Sequence, residues 1–498
     1  MEECIGGQGA GVGGTGQVAA PLYECRPGAA TRSLPGGYQR RDAEATTLHR
    51  TVREHLATFL FDCADNGGLP RFVARDFQRY LECGVLAHGF SRLACAECNE
   101  EVLVAYSCKG RGVCPSCNAR RAHDTAIHVT ERVLPRLPYR QWTLSFPIQL
   151  RYLLARDSAL FSEVLAVFMR TLFNFQRKTA RRLGIKQPRV GALAFLQRFG
   201  SALQLTPHFH VLLPEAVFEE VSATEVRACA LPQPDDEEVE TLLRTVALRV
   251  VKLLRARGKL AEAAPCEDAL DFLRARAVRQ PRLPLGEEPK TGHKRRRCAF
   301  LAGFSLHADT WVHENNREGL ERLANYGARG PLSLERLSQL PDGRLSYRMK
   351  RPSASGATSL EFTPVDFLRR VSALIPPPRV NLIRFFGVLA PNASLRPLVV
   401  PTSPPVPPEL PQTPLPSRLP RDEQPTVRPP SRIPWADLLK RTWSVDLLTC
   451  PGCGGKRRLV ACVFSSTVTA EILTHLGLPA HPLALAPARD PPQRQLDC

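Results

Sequence analysis

The chain has 498 residues, of which 43% are hydrophobic, enough for two or three domains with real cores. Its net charge of +19 and pI near 9.6 point to a polyanionic partner, nucleic acid first, against the plainer reading of a merely soluble basic protein. No apolar run approaches the ~18 residues of a membrane span, and the start, MEECIGGQGAGVGGTGQ, lacks a basic-then-apolar leader, so a reducing cytoplasm is expected.

Residues 1–45 are Gly- and Ala-rich without periodicity and are expected to be disordered. From Thr47 to Tyr80, Leu48, Val52, Leu56, Phe59 and Leu60 recur at helical spacing. A cysteine-rich module follows, from Cys83 to Arg121, then a helical run over Thr125 to Leu134. Gln141 to Phe146 alternates Trp142, Leu144 and Phe146 as a strand does. Ser158 to Leu183 predicts a helix with Leu160, Phe161, Val164, Leu165, Phe168 and Leu172 on one side, capped by Asp157 or Ser158 and ended by Gly184. Val190–Phe199 and His208–Leu213 read as two more strands, and 235–278 as helical. His293-Lys-Arg-Arg-Arg297 reads as a charged loop. A helix is expected over Asn316–Ala328, a polar hairpin over Leu345–Lys350 and Thr358–Phe362, and a short helix over Pro364–Leu374. Residues 399–434 form a proline-rich linker, and 435–498 a small tail.

The sixteen cysteines cluster at 83–117 and at 450–453, with the rest scattered, which suits metal-bound thiolates better than disulfides. Cys95-Ala-Glu-Cys98 and Cys114-Pro-Ser-Cys117 are two C-x2-C turns, and two such turns at this separation can close a tetrahedral zinc site. Cys83, His88 and Cys108 are further ligand candidates that would complete a second site. Lys109, Arg111, Arg120 and Arg121 make the module a DNA grip in expectation. Cys450-Pro-Gly-Cys453 resembles half of a zinc ribbon whose other half is not evident, and an unmetallated turn is the alternative.

His208-Phe209-His210 lies in a strand reading, so both imidazoles face one side and Phe209 the other. Two neutral nitrogens side by side suit a divalent metal, although a bland surface pair has the same signature. Gln197, on the preceding strand, can offer a carbonyl oxygen as third ligand or be a polar strand end. No acidic residue occurs from Val164 through Pro214, while Arg170, Arg177, Lys178, Arg181, Arg182, Lys186, Arg189 and Arg198 do; this reads as a phosphate-backbone channel beside the metal. Tyr326, in Leu323-Ala-Asn-Tyr-Gly-Ala-Arg-Gly-Pro331, has Arg322 and Arg329 within a helical turn on either side. A helical tyrosine is ordinarily packing, but with a metal and cations nearby it is a competent nucleophile.

The ordered set Cys108-Lys-Gly-Arg-Gly-Val-Cys114-Pro-Ser-Cys117, Gln197-Arg-Phe-Gly-Ser-Ala-Leu, His208-Phe-His210, Asn325-Tyr326-Gly-Ala-Arg329-Gly-Pro331 and Phe385-Phe-Gly-Val-Leu-Ala-Pro-Asn392 resembles the rolling-circle, HUH-type transposases of the insertion sequence ninety-one family, over about residues 50 to 400. The resemblance implies an α+β palm with an antiparallel sheet, helices on one face and the tyrosine on a separate helix, within 126–398, preceded by a zinc-binding module over 46–125. It implies a bacterial enzyme that nicks single-stranded or hairpin DNA at element ends. Tyr326 would be the nucleophile, His208 and His210 would hold Mg²⁺ or Mn²⁺ with Gln197 as a third ligand, and zinc would be structural. Many members carry two tyrosines four residues apart; here those positions are Arg322 and Gly330, as in the single-tyrosine branch associated with insertion sequence common regions. A plasmid replication initiator or relaxase of the same chemistry and a non-catalytic zinc-dependent DNA-binding protein remain as alternatives.

Overall fold

The computed structural model describes residues 38, 40–65, 67–259, 269–278, 296–350, 352, 356–400, 434–443 and 445–489. Most of the expected disordered segment, most of the proline-rich linker and the charged loop up to residue 295 therefore lie outside the described residues.

The N-terminal part folds as α1 (Thr47–Ala64), α2 (Arg71–Leu81), the hairpin β1 (Phe90–Cys95) and β2 (Glu101–Ala105), and α3 (Pro115–Arg132). Thr46 caps α1 by accepting a hydrogen bond from His49 N. Pro115 sits in the first turn of α3, where its missing N–H costs nothing, so α3 begins inside the Cys114–Cys117 turn and runs straight through residue 125.

The centre follows as β3 (Tyr139–Ser145), α4 (Ile148–Arg156), α5 (Ser158–Arg182), β4 (Gly191–Phe199), β5 (Leu205–Pro214), the hairpin β6 (Ala216–Ser222) and β7 (Glu225–Ala230), α6 (Asp236–Ala256), α7 (Ala269–Val278), β8 (Cys298–Leu301), β9 (Phe304–Val312) and α8 (Arg317–Ala328). Then come β10 (Leu337–Gln339), β11 (Leu345–Arg348), β12 (Ser359–Phe362), α9 (Pro364–Leu374), β13 (Ile383–Gly387) and α10 (Arg396–Val399). Six strands form one antiparallel sheet in the order β13-β4-β5-β3-β9-β8, so β5 lies near its middle. β9 and β13 were not anticipated from alternation. β13 pairs Phe385 with Leu193 and Phe386 with Ala192, and packs Phe386 into the core under α5 and Phe385 into the core under α3 and α8.

Helices cover both faces of this sheet, not one. Every residue of β4 is buried, as a strand sandwiched on both sides must be. On one face α5 and α6 pack Phe161, Val164, Leu165, Phe168, Leu243 and Val246 against Trp142, Phe209 and Val211. On the other, α3 and α8 pack Ala126, Val129, Leu320 and Ala324 against Leu193, Phe195 and Leu212. α5 starts where Asp157 accepts from Leu160 N and ends before Gly184, whose φ of +84° suits glycine. It is long and apolar enough to cross a membrane by length and composition, yet its apolar stripe is the one buried on the sheet.

The tail adds α11 (Trp435–Trp443), β14 (Arg457–Val463) and α12 (Ser466–His475). β14 pairs with β1, giving the order β14-β1-β2, so the end of the chain completes the N-terminal sheet.

Candidate functional site

The register of the central strands sets the site. His208 lies opposite Gln197 of β4 and Ser145 of β3, and His210 opposite Phe195 and Thr143. Alternation therefore turns both imidazoles towards α8 and Phe209 towards α5. The two Nε2 atoms stand 3.1 Å apart. His208 Nδ1 donates to the Thr206 carbonyl (2.7 Å), which leaves its Nε2 with a lone pair. His210 Nδ1 lies 3.0 Å from Thr143 Oγ1 and 3.2 Å from Gln141 Nε2. When Nδ1 carries the proton it donates to the threonine hydroxyl, and both Nε2 lone pairs then face the same space. Burial holds the His208 imidazolium down to about 4, helped by Arg329 and Arg151, and burial, His208 and Arg329 hold His210 well below its ordinary value. Both rings are thus neutral near pH 7, the form that binds a metal.

Tyr326 arrives on the last turn of α8. Its ring centroid is 5.6 Å from that of His210, edge-on at 84°, and the residue is 41% exposed, open to a partner from solvent. Arg329 Nη2 donates to the phenol oxygen (3.3 Å), with its guanidinium carbon 4.3 Å from the ring centroid, and Lys350 Nζ lies 5.2 Å from that centroid. Arg322 does not share this role: it points outward and pairs with Glu318 at 3.6 Å. Tyr347 is buried and donates to the Pro331 carbonyl (3.4 Å).

Gln197 joins the histidines to the tyrosine helix. Its Nε2 donates to the carbonyls of Tyr326 (2.7 Å) and Gly327 (3.0 Å), end groups of α8 that have no partner within the helix. Its Oε1 is buried and has no hydrogen-bond partner among the described residues. Burying a carbonyl oxygen without a partner costs on the order of 1–3 kcal/mol, so an orphan acceptor beside two neutral imidazoles fits a cation as the missing partner. Gly327 lets the helix end this close to the sheet, because a Cβ there would meet the Phe195 ring at 2.6 Å. Gly330 does the same against Asn118 of α3, whose amide donates to the Gly112 carbonyl (3.0 Å).

The cysteines gather into two groups of four. In the first, Cys83, Cys108, Cys114 and Cys117 are all buried, with Sγ–Sγ distances of 3.5 to 3.7 Å among the close pairs. Zinc–sulfur bonds near 2.3 Å put tetrahedral thiolates about 3.8 Å apart. Backbone N–H groups of Cys108 and Gly110 donate to Cys83 and Cys108 Sγ at 3.4 and 3.3 Å, as thiolates require. In the second, Cys95 and Cys98 meet Cys450 and Cys453, at 3.4 Å for Cys95–Cys453, 3.7 Å for Cys98–Cys450 and 3.4 Å for Cys98–Cys453. The structure thus divides the expected quartet of Cys95, Cys98, Cys114 and Cys117 between two groups. The reason is strand pairing: β1 carries Cys95 towards β14 and away from the start of α3. His88, in a one-turn 3-10 helix, is exposed and belongs to neither group.

The cations expected to grip DNA fall into different roles. Lys109 is exposed at a left-handed turn, with φ of 53°. Arg120 is half-buried on α3. Arg111 donates to the carbonyls of Pro377 (2.9 Å) and Val380 (2.8 Å), and Arg121 to those of Lys109 (2.8 Å) and Gly110 (3.3 Å), so both hold backbone together. Arg198 is buried on the face opposite Gln197 and donates to the Ala155 carbonyl, with burial pulling its guanidinium down to about 9. Arg329 alone of the set stands at the tyrosine.

A family model described as "Transposase zinc-binding domain" matches residues 51–146, and one described as "Putative transposase" (Y2_Tnp) matches residues 191–396. Together they span well over half of the chain, in the order zinc module then sheet. The chain belongs to the insertion sequence ninety-one (IS91) family of transposases. No curated protein and no solved structure matches it. The zinc-binding match contains the first cysteine group and the second match contains Gln197, both histidines and Tyr326, whereas Cys450 and Cys453 of this transposase lie outside both. Thr143, Gln141 and Lys350 complete the site without having been anticipated. The first two carried a signal: they occupy the polar side of β3, opposite Trp142 and Leu144, and that side faces the histidines. Lys350 follows β11 far from the tyrosine in sequence, and only the fold returns it.

Proposed function

We propose that this transposase nicks and rejoins DNA at element ends through a 5′-phosphotyrosine link, using Tyr326 as its single nucleophile. The observation that carries the reading is the convergence of two neutral imidazoles, the orphan Gln197 oxygen and a cation-flanked phenol at one end of β5. Tyr326 Oη gives up its proton to solvent and attacks the scissile phosphorus; the Oη–P bond forms, the P–O3′ bond breaks, and the 3′ oxygen takes a proton from solvent and leaves as a hydroxyl. The bond exchange conserves a phosphodiester, so no ATP is consumed, and attack by a 3′-hydroxyl reverses it. Arg329, already bonded to Oη, stabilises the phenolate and then the charge on the phosphate, with Lys350 beside it. His208, His210 and Gln197 would hold Mg²⁺ or Mn²⁺, which supplies Lewis-acid polarisation of the phosphate. Thr143 Oγ1, accepting from His210 Nδ1–H, orients the ring for that task, and Gln141 Nε2 donates in turn to Thr143 Oγ1 (3.3 Å).

The partner in this reading is single-stranded or hairpin DNA, in the bacterial cytoplasm at the nucleoid, and the process is rolling-circle transposition by the single-tyrosine branch. A replication initiator or relaxase would use the same chemistry; the zinc-binding match ahead of the sheet favours the transposase. The test is an oligonucleotide carrying the element end. Wild-type protein should form a denaturant-stable adduct at the 5′ side of the nick, and Tyr326→Phe should form none. An adduct of wild-type yield from Tyr326→Phe would overturn the assignment.

A further inference from the structure

The second cysteine group joins segments far apart in the chain. β1 and β14 run antiparallel with Cys95 opposite Arg457, so the turn after β1 and the turn before β14 stand side by side. Each turn is shaped for a metal. Asn99 and Gly454 take left-handed conformations, φ 57° and 75°, and Gly455 N donates to Cys453 Sγ at 3.4 Å. A Cβ on Gly455 would sit 2.6 Å from Glu97 and 3.1 Å from Cys95 Sγ, so only glycine leaves the thiols room to meet. Four thiolates around Zn²⁺ leave two negative charges. Beside them Arg457 is buried, with Nη2 on Glu100 (3.0 Å) and both Nε and Nη1 without a hydrogen-bond partner among the described residues. Cys450 Sγ also meets Glu100 Oε2 (2.7 Å), a contact that a thiol proton makes and that metal binding displaces.

The same tail reaches the tyrosine helix. Arg441 of α11 bridges Glu131 of α3 and Glu321 of α8, the latter at 3.1 Å, and Trp443 stands edge-on to His123 of α3 at 5.6 Å. Glu321 lies on α8 little more than one turn before Tyr326. A surface arginine between two carboxylates holds little by itself, because solvent screens it and its side chain loses freedom. Something else must keep α11 in place for that bridge to matter.

We propose that Cys95, Cys98, Cys450 and Cys453 bind a second zinc ion. It forms a clasp that fixes the tail to the N-terminal module and so holds Arg441 across α3 and α8. Arg441 is then a positioning residue for the helix that carries Tyr326. The clasp stands whether or not Tyr326 is the nucleophile, since its tests read metal and attachment rather than nicking.

The full chain purified with zinc should contain two zinc ions, and Cys450→Ser/Cys453→Ser should contain one. Cobalt replacement of the wild-type protein needs no variant: thiolate-to-cobalt absorption should correspond to two tetrathiolate sites. A wild-type content of one site by both measures would overturn the clasp. A protease site placed within residues 401–433 gives a second reading. After cleavage the tail should stay bound to the wild-type body and dissociate from the double variant; equal retention in both would overturn the tethering. For the brace, Arg441→Ala should keep two zinc ions yet speed amide hydrogen exchange in α8, and Arg441→Lys should recover part of the protection. Unchanged exchange in Arg441→Ala would overturn the brace.

Discussion

Strand β5 serves two opposite purposes on its two faces. Phe209, Val211 and Leu213 enter a dry core under α5 and α6, where Phe209 stacks at 4.6 Å on Phe161 and meets Phe146 edge-on at 5.4 Å. His208 and His210 face α8, where their neighbours are Thr143, Gln141, Gln197 and Tyr326. A residue shifted by one position would exchange these environments, so the apolar face fixes the register that aims the imidazoles. The difference also corrects the expected phosphate channel. Arg170, Lys178, Arg181 and Arg182 are exposed on α5, which covers the Phe209 face, so the sheet separates them from the histidines. The cations near the tyrosine are Arg329 and Lys350 instead.

The largest effect should come from the polar face. His208→Ala removes a proposed metal ligand, which should lower nicking by more than the roughly 10–100-fold that loss of a ligand's orienting partner costs. Thermal stability and bound zinc should hardly change, since His208 contributes no packing to the Phe209 core. Nicking rates at saturating Mg²⁺ or Mn²⁺, with zinc content measured in parallel, check this. Wild-type rates in His208→Ala would remove the metal role of that face. Phe209→Ala, one residue away, should do the reverse. Opening a cavity among Phe146, Phe161 and Phe168 should cost about 3–5 kcal/mol of stability, while the protein that remains folded keeps most of its nicking rate. Urea unfolding together with rates normalised to folded protein separates the two faces. A variant that is stable but inactive would show that the faces are not independent.

The candidate constellation was largely legible because several of its residues sit on single elements readable in the sequence. A strand reading suffices to place His208 and His210 on one side, and Asn316, which accepts from Gly319 N, marks the start of the helix that delivers Tyr326. The clustered cysteines were legible as a kind and not as pairs. Cys83 and Cys108 belong to no C-x2-C turn, and Cys95 and Cys98 find partners about 350 residues later through β1–β14 pairing. Strand pairing at that separation leaves no periodic trace. The same holds for β9, which lies beside β3 after a long excursion, and for Lys350, which reaches Tyr326 through the β10–β12 sheet. The family models match residues 51–146 and 191–396, and both stop short of the tail that completes the second cysteine group.

The smallest expected effect concerns pH, and it too distinguishes the faces. Without Mg²⁺ or Mn²⁺, the His208 imidazolium is held down to about 4 by burial, against an ordinary value near 6.5 in the unfolded chain. Between those two values the unfolded chain therefore binds a proton that the folded chain refuses. Stability must rise with pH across that window, by at most about 1.4 kcal/mol per pH unit for one such group, and level off above about 6.5. His208→Ala should lessen that rise, because one ring's proton mismatch disappears while that of His210, also held below its ordinary value by burial, remains. Phe209→Ala should keep the slope while lowering the whole curve, because an apolar cavity carries no proton. Urea midpoints for the three proteins at closely spaced pH values from 4 to 7 decide the matter. An unchanged slope in His208→Ala would mean that the ring already exchanges its proton freely with water, and so is not the desolvated, metal-ready group that the β5 geometry describes.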